Sequence, residues 1–354
     1  MPSKTSNDLR RLGTLLLIGI VAGYGVRYVA ARASRNAARG PSRLIDWRQA
    51  HRYALRVSQW EQASIPDRAA RRAQYTRLVE QSEPLIAEYL GVGLPQPISR
   101  VYVVDRREWL EANFASFEVL FAPIEELYTR ASSHQGSLGA AMGQINSTLI
   151  GAQMGVLLGF LARRVLGQYD LSLLSPDPAV RGSLYFVEPN IDRVQHQLGL
   201  NDEDFRLWIA LHETTHVFEF EAYPWVRPYF NDLLRQFLGQ VSTQLEALGV
   251  GLPQLLGRLL GARSSGRHWI ERMLTPEQQR IFDQLQALMS LVEGYSNHIM
   301  NAIGGQLLPT FEQIEQRVQQ RQQNRPLLEE LFNRITGMDL KLAQYQQGEA
   351  FVNA

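Results

Sequence analysis

The sequence predicts a mainly α-helical protein with a small β-sheet. Apolar residues recur with helical spacing over most of the chain, for example at residues 44–60, 67–90 and 276–298. Only two short segments, 98–104 and 183–187, are rich in β-branched or aromatic residues and bounded by turn residues, as strands are. Two short strands among long helices indicate an α+β arrangement in which helices surround a small sheet.

The composition limits the classes of function that the chain can have. Its 354 residues are 45% hydrophobic and 20% charged, which is enough for a substantial core. The formal net charge is +1, so no strong field points to nucleic acid as a partner. The absence of cysteine excludes disulfides, thiolate nucleophiles and cysteine-based zinc sites, so a metal ion must be held by histidine and carboxylate side chains.

An uncharged apolar run at residues 12–26 precedes the helical body, and arginines flank it on both sides. We interpret residues 1–42 as a membrane anchor with its linker, and residues 43–354 as one domain, which the positive-inside rule places in the cytoplasm. Two alternatives stay open. The run is either a signal peptide cleaved near residues 31–33, or a soluble helix packed on the body.

A second uncharged segment, residues 138–162, carries a small residue at every fourth position. On a helix these residues form one stripe, which allows another backbone to approach closely. Because Gln144, Asn146 and Gln153 need partners that lipid does not offer, we favour a buried helix of the body over a second membrane helix. The small residues are Gly139, Gly143, Ser147, Gly151, Gly155 and Gly159.

The central motif is HETTH at residues 212–216, within a helix predicted over residues 202–220. Positions i and i+4 share one face of a helix, so His212 and His216 can hold one metal ion. Glu213 lies beside them and can reach a water on that ion. Two imidazole ligands and a carboxylate general base are the zincin arrangement, which predicts Zn²⁺ and hydrolysis. The competing interpretation is a helix with two ordinary surface histidines.

A catalytic zinc usually has a third protein ligand, and we assign it to Glu293. This residue follows Leu291 and Val292, so its carboxylate is expected to point inward, where it requires a cation. Asn297, one turn later, is a candidate to orient a ligand histidine. His298 is the reserve ligand. The candidates for stabilising an oxyanion are Tyr295, His298 and Tyr223.

Two further expectations concern the neighbours of the motif. Glu219 and Glu221 follow His216 too closely to fold back onto the metal from the same helix, so we do not expect either to be a ligand. The strand predicted at residues 183–187 precedes the motif helix. We expect it to be an edge strand whose free edge holds an extended peptide by main-chain hydrogen bonds.

These residues together resemble a family of zinc-dependent metalloproteases of the zincin class. The family is found largely in actinobacteria and chloroflexi, and its members are often labelled hydrolases associated with deazaflavin-coenzyme biosynthesis. The resemblance runs from about residue 44 to the end. The glutamate that this family has after the motif falls on Glu293, whereas the wider gluzincin pattern has aspartate where Asn297 stands. The matching segments are Asp46-Trp47, Asp105-Arg106 through Trp109 and Asn113, Val165 through Asp170, His212 through His216, Pro224 through Arg227, Glu293 through Tyr295, Asp339 through Lys341, Gln344-Tyr345 and Gly348.

The resemblance implies a bacterial zinc metallopeptidase that acts on a peptide or protein substrate. His212, His216 and Glu293 are then the ligands of Zn²⁺, and Glu213 is the general base. Two alternatives remain: a non-catalytic scaffold stabilised by zinc, and a zinc amidohydrolase that acts on a small coenzyme precursor. A short closed pocket in place of a groove along the predicted strand at residues 183–187 favours the amidohydrolase.

Overall fold

The structure is a computed structural model, and it describes residues 43–62, 64–132, 137–169, 182–248 and 275–323. The apolar run at residues 12–26 and the linker up to residue 42, for which we predict a membrane anchor, lie outside the described residues. So does the part of the family resemblance that begins at Asp339.

The described part of the chain is mostly helical and contains one small sheet, which confirms the predicted fold class. The HETTH motif lies in α6, and the predicted third ligand lies in α8. The elements are α1 Trp47–Ser58, α2 Arg68–Leu90, β1 Val101–Val104, α3 Arg106–Ser132, α4 Ser137–Ala162, β2 Gly167–Tyr169, β3 Leu184–Val187, α5 Glu188–Leu198, α6 Asp202–Glu221, α7 Val226–Leu248, α8 Pro276–Leu307 and α9 Phe311–Gln323.

The sheet has the strand order β1-β3-β2, so β3 is its central strand. β1 pairs with it in parallel, with Val101 opposite Leu184, and β2 pairs in antiparallel, with Gly167 opposite Phe186. The expectation that the strand at residues 183–187 has a free edge is therefore wrong. Its second neighbour is only three residues long, Gly-Gln-Tyr, and so short a segment shows no alternation that sequence could reveal. The antiparallel edge strand is β2.

Helix α6 is buried on two sides, which fixes the motif in place. Phe205 and Val217 belong to the main core cluster, which also covers the sheet. Leu211 and Phe218 belong to a separate cluster with Ile299 and other residues of α2 and α8. A helix held by packing on both flanks keeps its side chains in fixed directions, and packing of this kind contributes most of the stability of helices in proteins.

The first turn of α6 is held by a cap and by a buried ion pair. The Asn201 side chain accepts hydrogen bonds from the backbone of the first turn, at 3.0 Å each. Arg206, which is fully buried, pairs with Glu188 at 2.5 Å and with Asp202. The Tyr75 hydroxyl donates to the other oxygen of Glu188 at 2.7 Å. These contacts tie α6 to α5 and α2.

Helix α4 packs closely against α1 through its glycines. A Cβ atom on Gly159 would lie 2.6 Å from the Ala54 carbonyl oxygen, and Gly151 and Gly155 face α1 in the same way. In the described part of the chain, Gly143–Ala162 is long and apolar enough to cross a membrane, and 33% of its most apolar window is buried. The prediction of a buried helix therefore holds for the face that packs on α1 and the core, and the opposite face is exposed.

Candidate metal centre

Helices α6 and α8 bring three potential ligands together. His212 and His216 project from α6 toward Glu293 of α8, and one ligand atom from each lies within 4.8 Å of the others. The two helices are held in register by the apolar cluster that contains Leu211 and Ile299. The same three residues were predicted from the sequence, although 77 positions separate His216 from Glu293.

The spacing of the two imidazoles fits a tetrahedral metal ion. Their Nε2 atoms face each other at 3.2 Å. Two zinc–nitrogen bonds of about 2.0–2.1 Å that meet at a tetrahedral angle place their nitrogens about 3.3 Å apart. Both rings thus present a nitrogen to one point, and the Glu293 carboxylate is the hard oxygen donor beside it.

The other nitrogen of each ring is fixed by a hydrogen bond. Nδ1 of His216 lies 2.6 Å from Oε2 of Glu219, which is buried, and Nδ1 of His212 lies 3.0 Å from the Ser296 hydroxyl. Such partners fix the orientation of ligand histidines and raise their basicity. The residues in contact with the two rings are Glu219 and Ser296, whereas Asn297, predicted for this role, is the next residue of α8 and half-buried.

The charges around the two histidines shift their pKa values in opposite directions. Burial, together with the neighbouring His216, lowers the pKa of His212 to about 3, so its lone pair is available at neutral pH. Burial also lowers the pKa of His216, but the carboxylates of Glu219, Glu213 and Glu293 outweigh this and raise it to about 10. The carboxylates thus attract a positive charge to this position, and a divalent cation satisfies the same field.

Glu213 is buried against β2. The backbone N–H of Tyr169 donates a hydrogen bond to its carboxylate, and burial raises the pKa of the carboxyl to about 7. A Cβ atom on Gly167 would lie 2.5 Å from Oε1 of Glu213, so glycine is required for the approach. A carboxyl group with a pKa near neutrality can accept a proton and release it again, as a general base requires.

Of the predicted oxyanion residues, Tyr223 follows the C-terminal end of α6, and Tyr295 and His298 lie on α8. The hydroxyl groups of Tyr223 and Tyr295 are 2.9 Å apart, and burial together with this contact raises the pKa of Tyr295. His298 lies on the same side, with Nε2 2.7 Å from the Tyr89 hydroxyl. The reserve ligand therefore has a different partner, and in the described residues it is not part of the converging group.

A pocket of about 320 Å³ opens beside the C-terminal half of α6, where Tyr169 of β2 forms part of its wall. The Tyr169 hydroxyl donates to Glu221 at 2.5 Å and accepts from Arg227 at 2.6 Å. Glu221 also pairs with Arg227. Glu221 is thus engaged in contacts with two other side chains. The pocket is lined by Gln96, Pro97, Ile98, Ser99, Arg100, Tyr169, Gly182, Leu184, Val217 and Glu221.

Comparison with known proteins gives two matches. The model of a family described as zincin-like metallopeptidase matches residues 45–354. A crystal structure of a proposed hydrolase with a novel fold from Chloroflexus aurantiacus is similar at 57% sequence identity and a TM-score of 0.64, covering 88% of this chain and 86% of that chain. None of the curated proteins matches the chain.

Proposed function

Because the chain belongs to the zincin-like metallopeptidase family, and is therefore an enzyme of the hydrolase class, we propose that it is a zinc-dependent peptidase. The family resemblance predicted from the sequence is confirmed. The family implies a metal ion, and we propose Zn²⁺, held by His212, His216 and Glu293. The observation that carries this proposal is the convergence of the two Nε2 atoms and the Glu293 carboxylate, while the Nδ1 atoms are engaged elsewhere.

The ion, when bound, supplies Lewis acidity that polarises the scissile carbonyl and makes a water nucleophilic at neutral pH. Glu213 takes a proton from the attacking water and delivers it to the leaving amine. Glu219 and Ser296 hold the histidine rings in the orientation that presents Nε2. The Tyr223 and Tyr295 hydroxyls are the candidates for donating to the oxyanion, because they share one polar contact and each carries an O–H donor.

We propose that the substrate lies along the outer edge of β2. Among the strands that the structure describes, β2 pairs with β3 alone, and Glu213 lies at its other edge, where it accepts from Tyr169 N–H. An extended peptide along this edge passes Glu213 at Gly167 and reaches the pocket at Tyr169. The free edge that sequence reasoning assigned to residues 183–187 is thus transferred to residues 167–169.

A zinc amidohydrolase acting on a small precursor is the second candidate. It is favoured by the volume of the pocket, about 320 Å³, which is in the range of small-molecule sites. The scaffold alternative is disfavoured, because the chain is a member of an enzyme family. Cleavage of long peptides favours the peptidase, and cleavage of small amides alone favours the amidohydrolase.

The variant Glu213→Gln tests the proposal. We expect it to retain one zinc ion per chain and to hydrolyse a fluorescent casein about 10²–10⁴-fold more slowly than the parent, which is the usual effect of removing a general base. The matched control is Glu203→Gln, an exposed carboxylate in the first turn of the same helix. Parental rates in a zinc-loaded Glu213→Gln variant exclude the assigned role.

A further inference from the structure

The outer face of α4 carries an apolar stripe that is not covered by the body of the protein. Ile145, Leu149 and Val156 follow one another at i, i+4 and i+11, so they lie on one side of the helix. Leu149 is 42% exposed and Val156 is 40% exposed, Ile145 is half-buried, and the exposed Gln153 lies at the margin of the stripe, where it can reach polar headgroups. In the described part of the chain, none of the three belongs to a hydrophobic cluster. Exposed apolar side chains in a row on a helix indicate a surface that another apolar phase covers.

A row of arginines lies on the adjacent helix. Arg48, Arg52 and Arg56 of α1 are spaced by four residues and are all exposed. They lie opposite Ala50 and Ala54, which are fully buried. Three guanidinium groups along one face of a helix form a linear positive surface.

The two rows face the same side of the molecule. Helices α1 and α4 pack against each other through Gly155 and Gly159, and both contribute to the core cluster around Phe114 of α3. The faces that remain point away from α3. The acidic Glu118 of α3 lies 3.8 Å from His51, which stacks on Phe114.

We propose that these two rows form a docking face for the surface of an anionic lipid bilayer. The apolar row enters the boundary of the acyl chains, and the guanidinium groups pair with anionic headgroups. The proposal does not depend on the hydrolytic reaction. The docking face consists of Arg48, Arg52, Arg56, Ile145, Leu149 and Val156.

The position of the predicted anchor supports a bilayer as the occupant. The uncharged run at residues 12–26 is followed by a linker that enters the described part of the chain at residue 43. Four residues later α1 begins, and the backbone N–H of Asp46 donates to the Ser147 carbonyl of α4 at 3.1 Å. An anchor in the bilayer therefore tethers the chain beside the docking face, and the arginine row gives the charge complementarity that anionic headgroups require.

The absence of cysteine in the chain allows a direct test with single-cysteine labels on the full-length protein. An environment-sensitive dye is placed at Leu149→Cys or Val156→Cys, and a matched control dye at Val119→Cys. Val119 is 53% exposed and lies on the face of α3 opposite its core residue Leu110. With vesicles of mixed zwitterionic and anionic lipid, we expect blue-shifted emission and quenching by brominated acyl chains at 149 and 156, with the dye at 119 remaining in water.

Two results overturn the proposal. In the first, the dyes at 149 and 156 stay as solvated as the dye at 119 on vesicles. In the second, the dyes at 149 and 156 are already shielded from water without lipid, because residues 12–26 or a second copy of the chain covers the face. If dilution of the protein exposes the dyes to water again, the cover is a second copy of the chain.

The arginine row is tested by its effect on docking in the Val156→Cys background. Each Arg→Gln change at positions 48, 52 and 56 should lower the ratio of docked to undocked dye about five-fold on anionic vesicles. Arg77→Gln, an exposed arginine of α2, is the control and should leave the ratio unchanged. A triple variant that docks like the parent, or a control that docks as poorly as the triple variant, contradicts the role of the arginines. Thermal unfolding of each variant checks that it is folded.

Discussion

Replacing Glu219 will weaken zinc binding although this residue is not a proposed ligand. Its Oε2 atom lies 2.6 Å from Nδ1 of His216, and the carboxylate is buried. This contact holds the ring with Nε2 directed at Nε2 of His212, 3.2 Å away. The negative charge also makes the imidazole a stronger donor. Glutamine retains an oxygen acceptor and loses the charge, whereas alanine loses both.

The magnitude follows from these two contributions. Loss of a partner of this kind lowers metal affinity about 10–100-fold. We expect Glu219→Gln at the lower limit, about ten-fold or 1.4 kcal/mol, because the orientation is retained. Glu219→Ala is expected near the upper limit, about 100-fold, because the ring is then also free to rotate.

The assay is a zinc titration against a chromophoric chelator at neutral pH. The matched control is Glu221→Gln, two residues further along α6, where the carboxylate contacts Tyr169 and Arg227. The control should bind zinc with the Kd of the parent. Parental affinity in both Glu219 variants, or an equal loss in the control, refutes the reasoning.

Three further predictions concern the site and its support. Gly167→Ala should retain zinc and lower kcat on the order of 100-fold by displacing Glu213, whereas Gly239→Ala, where a Cβ meets no neighbouring atom, should change nothing in the same assay. Burial raises the pKa of Glu213 to about 7, and the zinc-loaded enzyme should have the pKa of this group at or below neutrality. Below that pKa, kcat/KM should fall about ten-fold per pH unit, because the general base becomes protonated. Activity that rises on acidification contradicts the role of Glu213 as the base. Arg206→Ala removes the buried one of the two arginines that pair with Glu188 and leaves Arg71, so urea unfolding should show a loss of about 1.5–3 kcal/mol, the range for hydrogen bonds to charged groups; a loss under about 1 kcal/mol, the usual value of a surface pair, contradicts this.

The geometry of the HETTH motif was predictable because it is local. His212 and His216 share a helical face wherever the helix forms, and apolar periodicity is enough to place the helix. The proximity of Glu293 to the two histidines was predictable by a different argument. A carboxylate that follows apolar residues in a helix is expected to point inward, where a cation offsets the cost of burying its charge, and the structure places the half-buried Glu293 beside the two histidines.

The partners of the histidines were not predictable at the same level. The gluzincin pattern led to Asn297, but the carboxylate beside His216 is Glu219, on the motif helix itself. Sequence reasoning considered Glu219 only as a ligand and excluded it on distance. A residue at i+3 lies close enough to contact Nδ1 of His216, and this spacing is the signal that was available.

The prediction that residues 183–187 form an edge strand was wrong for a physical reason. Residues 167–169 have no apolar alternation, so they do not read as a strand. They form one only by pairing with β3, which directly precedes α5 in the chain. The role of Gly167 depends on the approach of β2 to Glu213, which is a tertiary contact. Such a contact leaves no periodic signal in the sequence.

The most direct test of the central claim is anomalous diffraction at the zinc edge from crystals of the purified enzyme. We expect one anomalous peak at about 2.0–2.2 Å from Nε2 of His212, Nε2 of His216 and a carboxylate oxygen of Glu293. Zinc bound elsewhere, or zinc at the two histidines with Glu293 turned away, contradicts the proposed metal centre.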